Sequence, residues 1–181
     1  MDIMSVINFL AEKYYKIAYD TFFYIEDNKK AKKYVSYALN LCPTHVKSLK
    51  LKGSIFLLED KIDLSLEIWK KLYEGGVDDF EVASKIAYCY FQRGEYKNAL
   101  DFCEKSALKV NLDESEKMYS LYRLKIDLLL SINKVKSALK LFKNALKMLN
   151  SQDAYELKNS YSYLNSHFGA VVDIKSIKRA F

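Results

Sequence analysis

The chain is poor in everything that interrupts a helix. Its 181 residues include one proline, Pro43, and five glycines, so long stretches are free of breakers. Strict apolar-polar alternation, the mark of a half-buried strand, is nearly absent. Apolar residues instead recur every three or four positions, as in Ile7, Leu10, Ala11, Tyr14, Tyr15 and Ala18, which places one buried stripe on a helix. No run approaches the 18 apolar residues of a membrane span, and the opening MDIMSVINFLAEKYY carries Asp2 rather than a basic leader, unlike a signal peptide. Cys42, Cys89 and Cys103 are odd in number and form no CxxC pair; a disulfide framework is not expected, and a reducing, cytoplasmic setting is.

Catalytic constellations are also lacking. His45 and His167 stand far apart without cysteine or carboxylate neighbours at ligand spacing, so no metal site is expected. Gly75-Gly76 is followed by Val77-Asp78-Asp79 and lacks the lysine and hydroxyl that grip nucleotide phosphates; the pair reads as a helix stop. Cys89 and Cys103 fall where small apolar residues pack, and a buried thiol is inert. The chain is therefore expected to be non-enzymatic, with no catalytic residue, metal or cofactor.

What is present is a period. Small residues at Ala31, Ser65, Ala99 and Ala138 are separated by 34, 34 and 39 positions, and each is followed four later by Val35, Trp69, Cys103 or Phe142. The next small positions hold Ala38, Leu72, Ser106 and Ala145, and Gly53 and Ala87, also 34 apart, stand at a small position ahead of Ser65 and Ala99. A unit of 34 residues cannot close a core alone, so it must stack its apolar face on its neighbours. Pro43, lacking an N–H and disfavouring helix before it, separates one unit from the next.

Around these positions the segments 28–43, 61–76, 94–109 and 133–148 resemble the second helix of the tetratricopeptide repeat. The resemblance covers roughly residues 12–150. It departs from the family where Tyr19 and Ile126 stand at expected small positions and Leu72 replaces an alanine. It implies an all-α, right-handed superhelical solenoid forming a single domain. Its units cover about 12–45, 46–79, 80–113 and 119–152, with a C-terminal cap and tail over 153–181. Helices are expected near 4–25, 29–41, 45–58, 62–73, 79–92, 95–109, 115–131, 135–149 and 153–166. A further short helix after Val171 would dock its Val171, Ile174, Ile177 and Phe181 stripe on Tyr161 and Leu164, with Gly169 as the turn; the alternative is a free basic tail for an acidic partner.

The resemblance also implies a site. In that family the first helix of each pair lines a concave groove that reads a peptide. The corresponding positions are Lys13, Lys16, Asp20, Phe23 and Tyr24; Lys47, Lys50, Ser54, Leu57 and Leu58; Glu81, Ser84, Lys85, Tyr88 and Phe91; and Ser120, Arg123, Asp127 and Leu130. Such a basic and aromatic groove is expected to take a peptide or protein segment with acidic and apolar side chains, in an adaptor, scaffold or co-chaperone-like role. The clamp that family members use on chaperone C-termini would fall on Lys16, Asp20, Leu51, Glu81 and Lys85, and two carboxylates and a leucine there disfavour it. The net charge of +6 and the runs 29–33 and 175–179 raise nucleic acid or an anionic membrane surface as alternatives. Acids interleaved with the lysines, as in Glu67 with Lys71 and Asp101 with Lys105, make nucleic acid the weaker reading. Aromatics near the chain ends leave a homo-oligomer open.

Overall fold

The computed structural model describes residues 2–111 and 114–162. These residues form helices and connecting turns without a strand and divide into two compact units, one reaching Glu95 and one beginning at Tyr96. In the first unit α1 (Ile3–Phe23), α2 (Asn28–Leu41), α3 (Val46–Leu58), α4 (Ile62–Glu74) and α5 (Phe80–Gln92) pack in chain order, and α1 also touches α3. In the second, α6 (Tyr96–Ala107), α7 (Ser115–Ser131), α8 (Val135–Met148) and α9 (Ser151–Ser160) do the same, with α9 reaching back to α7. Adjacent packing plus a contact two helices along is the pattern of a helical repeat. The expected helix after Val171, its docking on Leu164, and His167 and Gly169 lie outside the described residues.

The period is written in the turns. Glu26, Asp60, Gly94 and Asn133 all adopt positive φ, at 57°, 56°, 72° and 58°, with the same 34, 34 and 39 spacing as the small residues. In three of these turns the closing bond spans five residues, from the N–H of Lys61, Glu95 or Lys134 to the carbonyl of Phe56, Tyr90 or Leu129. In the first it spans six, from Asp27 N–H to the Thr21 carbonyl. That extra residue shifts α1 by one position. Ala18, fully buried, therefore takes the small position that simple subtraction gives to Tyr19.

Small residues let the helices approach. Ala18, Ala31, Val35, Leu51 and Ile55 form one core cluster with Tyr15, Phe22, Tyr34 and Leu39 around it. Farther along the first unit Gly53 lies against the Trp69 indole; an added Cβ would stand 2.7 Å from Trp69 Cε2. Ser65 Oγ donates to the Gly53 carbonyl at 2.9 Å and accepts from Trp69 Nε1 at 3.0 Å, and buried Cys89 Sγ lies 3.8 Å away. Trp69 is 0% exposed with its only donor satisfied. In the second unit Ala99, Cys103 and Ser106 are buried on α6, while Ile126, Ala138, Phe142, Ala145, Leu149, Leu157 and Tyr161 pack α7, α8 and α9 together.

Candidate functional site

The first unit carries an open groove of about 290 Å³, lined by Tyr15, Tyr19, Phe23, Lys47, Lys50, Leu51, Ser54 and Glu81. Its walls are the first helices of three successive pairs. From α3 come residues at spacings of three, four and seven, which share a helix face. From α1 come Tyr15, Tyr19 and Phe23 at intervals of four, and α5 contributes Glu81 near its start.

The one-residue shift of α1 decides which side chains face this groove. A step of one residue turns a helix by about 100°. The expected Lys13, Lys16, Asp20 and Tyr24 thus give way to their preceding neighbours Glu12, Tyr15, Tyr19 and Phe23; Tyr15, Tyr19 and Phe23 line the groove, Phe23 being itself an expected position. Lys13 is exposed with Nζ 4.6 Å above the Phe9 ring, Lys16 and Asp20 are exposed, and Tyr24 caps the end of α1. The α1 wall is consequently aromatic rather than basic: Tyr15 and Tyr19 lie 5.9 Å apart and Tyr19 and Phe23 4.4 Å apart between ring centroids.

The two α3 lysines that line the groove are already partnered. Lys47 Nζ donates to Glu12 Oε1 at 2.6 Å and sits 5.7 Å from the Tyr15 ring. The other Glu12 oxygen meets His45 Nε2 at 3.1 Å, and His45 Nδ1 lies 2.8 Å from buried Ser48 Oγ. The hydrogen bond from Lys47 holds the Glu12 carboxyl below its ordinary pKa against some burial. Lys50, largely buried, donates to Asp79 Oδ2 at 2.5 Å and to Glu81 Oε2 at 2.9 Å. Burial disfavours its charge, but those two bonds outweigh burial and raise its pKa. The Asp79 carboxyl is likewise lowered, burial being overcome by Lys50 and by the Val82 N–H that Asp79 caps at the start of α5. Burial, with Tyr19 and Glu12 nearby, raises the Tyr15 phenol. These pairs tie α1 to α3 and α3 to α5, fixing the walls.

Farther along α5, Ser84 Oγ donates to the Glu81 carbonyl. Lys85 is half-buried and makes no ion pair among the described residues, Tyr88 is exposed, and Phe91 is half-buried. Arg123 and Asp127 belong to the second unit. There Tyr161 OH donates to Asp127 Oδ1 at 2.7 Å and to the Arg123 carbonyl at 3.0 Å, and burial raises the Asp127 pKa despite that bond. Asp127 is thus already engaged by the residue that follows α9. Ser120 is exposed and Leu130 half-buried. Among the described residues no group of three or more His, Cys, Asp or Glu side chains could hold a metal ion, and no helix is long and apolar enough to cross a membrane.

Position-by-position subtraction misses Glu12, Tyr15, Tyr19 and Asp79. The available signal is Ala18, a small residue 13 positions before Ala31 where Gly53 and Ala87 stand 12 before Ser65 and Ala99. No protein-family model matches the chain, and no curated protein matches it in sequence.

Proposed function

We propose that the chain is a non-enzymatic recognition module of the tetratricopeptide class, seating a peptide or protein segment in the groove of α1, α3 and α5 and serving as an adaptor or scaffold in the cytoplasm. One observation carries this reading: three consecutive first helices present an open cleft with Tyr15, Tyr19, Phe23 and Leu51 on its surface and charged pairs at its edges. Rigid aromatic rings give contact area at low entropic cost and dominate the affinity of such interfaces. Apolar side chains of the partner are the anchors here. A partner carboxylate competes with Glu12 at Lys47 and with Asp79 and Glu81 at Lys50, so acidic residues contribute selectivity more than affinity.

Selection of a phage-displayed peptide library tests this. Wild-type protein should enrich peptides with spaced apolar residues, and Ser54→Arg, which fills the cleft, should abolish their binding while far-UV circular dichroism stays helical. Peptides that bind wild type and Ser54→Arg equally would move the site off the groove.

A further inference from the structure

The first turns of α1 hold an apolar surface that the groove does not use. Ile3, Met4, Val6, Phe9 and Leu10 are 79%, 65%, 40%, 53% and 39% exposed. At about 100° per residue, positions 3, 4, 6, 7, 9 and 10 sweep an arc of roughly 220° around the helix. A partner helix covers a stripe on the order of 100°. An arc twice that width is better covered by a medium than by one element.

Charge says which medium. Lys13 and Lys16 follow within about 9 Å of Leu10 along the axis at 1.5 Å per residue, and neither is ion-paired among the described residues. Lys33 joins them from α2: its Nζ lies 5.8 Å from the Tyr37 ring, which packs 5.4 Å from Tyr14 of α1. In contrast, the neighbouring Lys32 is paired with Glu59. Asp2 is the one carboxylate in positions 2–11, and it accepts from the Ser5 N–H as the helix cap. Glu12 is held by Lys47 and His45 on the groove side. Lys29 and Lys30 lie at the opposite end of α2, beside Asp27. Apposing two copies through this tip would set Lys13, Lys16 and Lys33 against their counterparts, which disfavours a dimer. An exposed apolar tip backed by lysines that make no ion pair among the described residues matches the interface of an anionic bilayer, where rings and aliphatic chains enter the acyl boundary and ammonium groups stay among the headgroups.

We propose that the first two turns of α1 dock the protein peripherally on an anionic lipid surface, with Val6, Phe9 and Leu10 inserting and Lys13, Lys16 and Lys33 contacting phosphate or carboxylate headgroups. This site is separate from the groove and does not depend on it.

The test uses Phe9→Trp as a depth probe, since Trp69 is buried and supplies a constant background. Vesicles of phosphatidylcholine with about 30 mol% phosphatidylserine should shift the added tryptophan to the blue. Pure phosphatidylcholine, or the additional changes Lys13→Glu and Lys33→Glu, should weaken partitioning by about tenfold or more, with helicity unchanged. Val6→Ser in the wild-type chain should weaken vesicle co-sedimentation as well. Unshifted emission with the anionic vesicles would overturn the proposal, as would charge-reversed protein that binds them undiminished. A stronger response to polyglutamate or single-stranded RNA than to the vesicles would overturn it in favour of another anionic partner.

Discussion

Gly53→Ala separates packing from propensity because the two predict opposite signs. In a helix interior alanine is favoured over glycine by about 1 kcal/mol, so an isolated α3 would gain. In the fold the new Cβ would lie 2.7 Å from Trp69 Cε2, 2.8 Å from Nε1 and 3.0 Å from Cζ2, too close for any of these contacts to survive. The indole is buried and cannot swing outward. Either the helices part or the ring moves, and moving it loosens the bonds from Trp69 Nε1 to Ser65 Oγ and from Ser65 Oγ to the Gly53 carbonyl. Overpacking costs about 1–3 kcal/mol and each of the two weakened buried hydrogen bonds about 1 kcal/mol; subtracting the propensity gain leaves a net loss of about 2–4 kcal/mol. Urea unfolding followed by tryptophan fluorescence reads this directly, because the single tryptophan sits at the contact and reports the first unit alone. A Gly53→Ala variant as stable as wild type, or more so, would refute the close crossing of α3 and α4.

Ala99→Leu should lose about 1–3 kcal/mol by overpacking, while Lys97→Leu on the exposed side of α6 changes the melting temperature little; equal shifts would contradict the placement of α6. Tyr161→Phe removes the donor to Asp127 and the Arg123 carbonyl and should cost about 1.5–3 kcal/mol, as for a hydrogen bond to a charged acceptor, measured by thermal unfolding. At pH 8 iodoacetamide should label Cys42 well before Cys89 and Cys103, whose thiols burial pushes up to about 11, until denaturant exposes them. The groove pairs set a pH window. Glu12 and Asp79 are lowered, so their contribution is present above the ordinary carboxylate range and is lost as pH falls through their folded values. Lys50 is raised, so its contribution is present below the ordinary lysine range and is lost as pH rises through its folded value. Lys50→Met should flatten the alkaline decline in tryptophan-monitored stability.

Much of this architecture is legible in the sequence because it rests on residue size at a fixed period. Ala31, Val35, Ser65, Trp69, Ala99, Cys103, Ala138 and Phe142 are all buried, as the spacing requires. The register of α1 is not legible in the same way. Its turn through Tyr24, Ile25, Glu26 and Asp27 contains no glycine, and one extra residue within a hydrogen-bonded loop leaves no mark on composition. The consequence is large, since Glu12, Tyr15 and Tyr19 take the places expected for Lys13, Lys16 and Asp20. Nor does the spacing reveal that Lys47 and Lys50 are partnered, because Glu12, Asp79 and Glu81 come from other helices, 35, 29 and 31 positions away. Opposite charges that meet only across helix pairs are set by the stacking, not by the local pattern.

Recognition in the cleft of α1, α3 and α5 can be read by titrating a library-selected peptide into isotopically labelled protein and following amide chemical shifts. Changes should concentrate at Tyr15, Tyr19, Phe23, Leu51 and Ser54. Changes confined to α2 and α4, with those residues unmoved, would contradict recognition in the cleft.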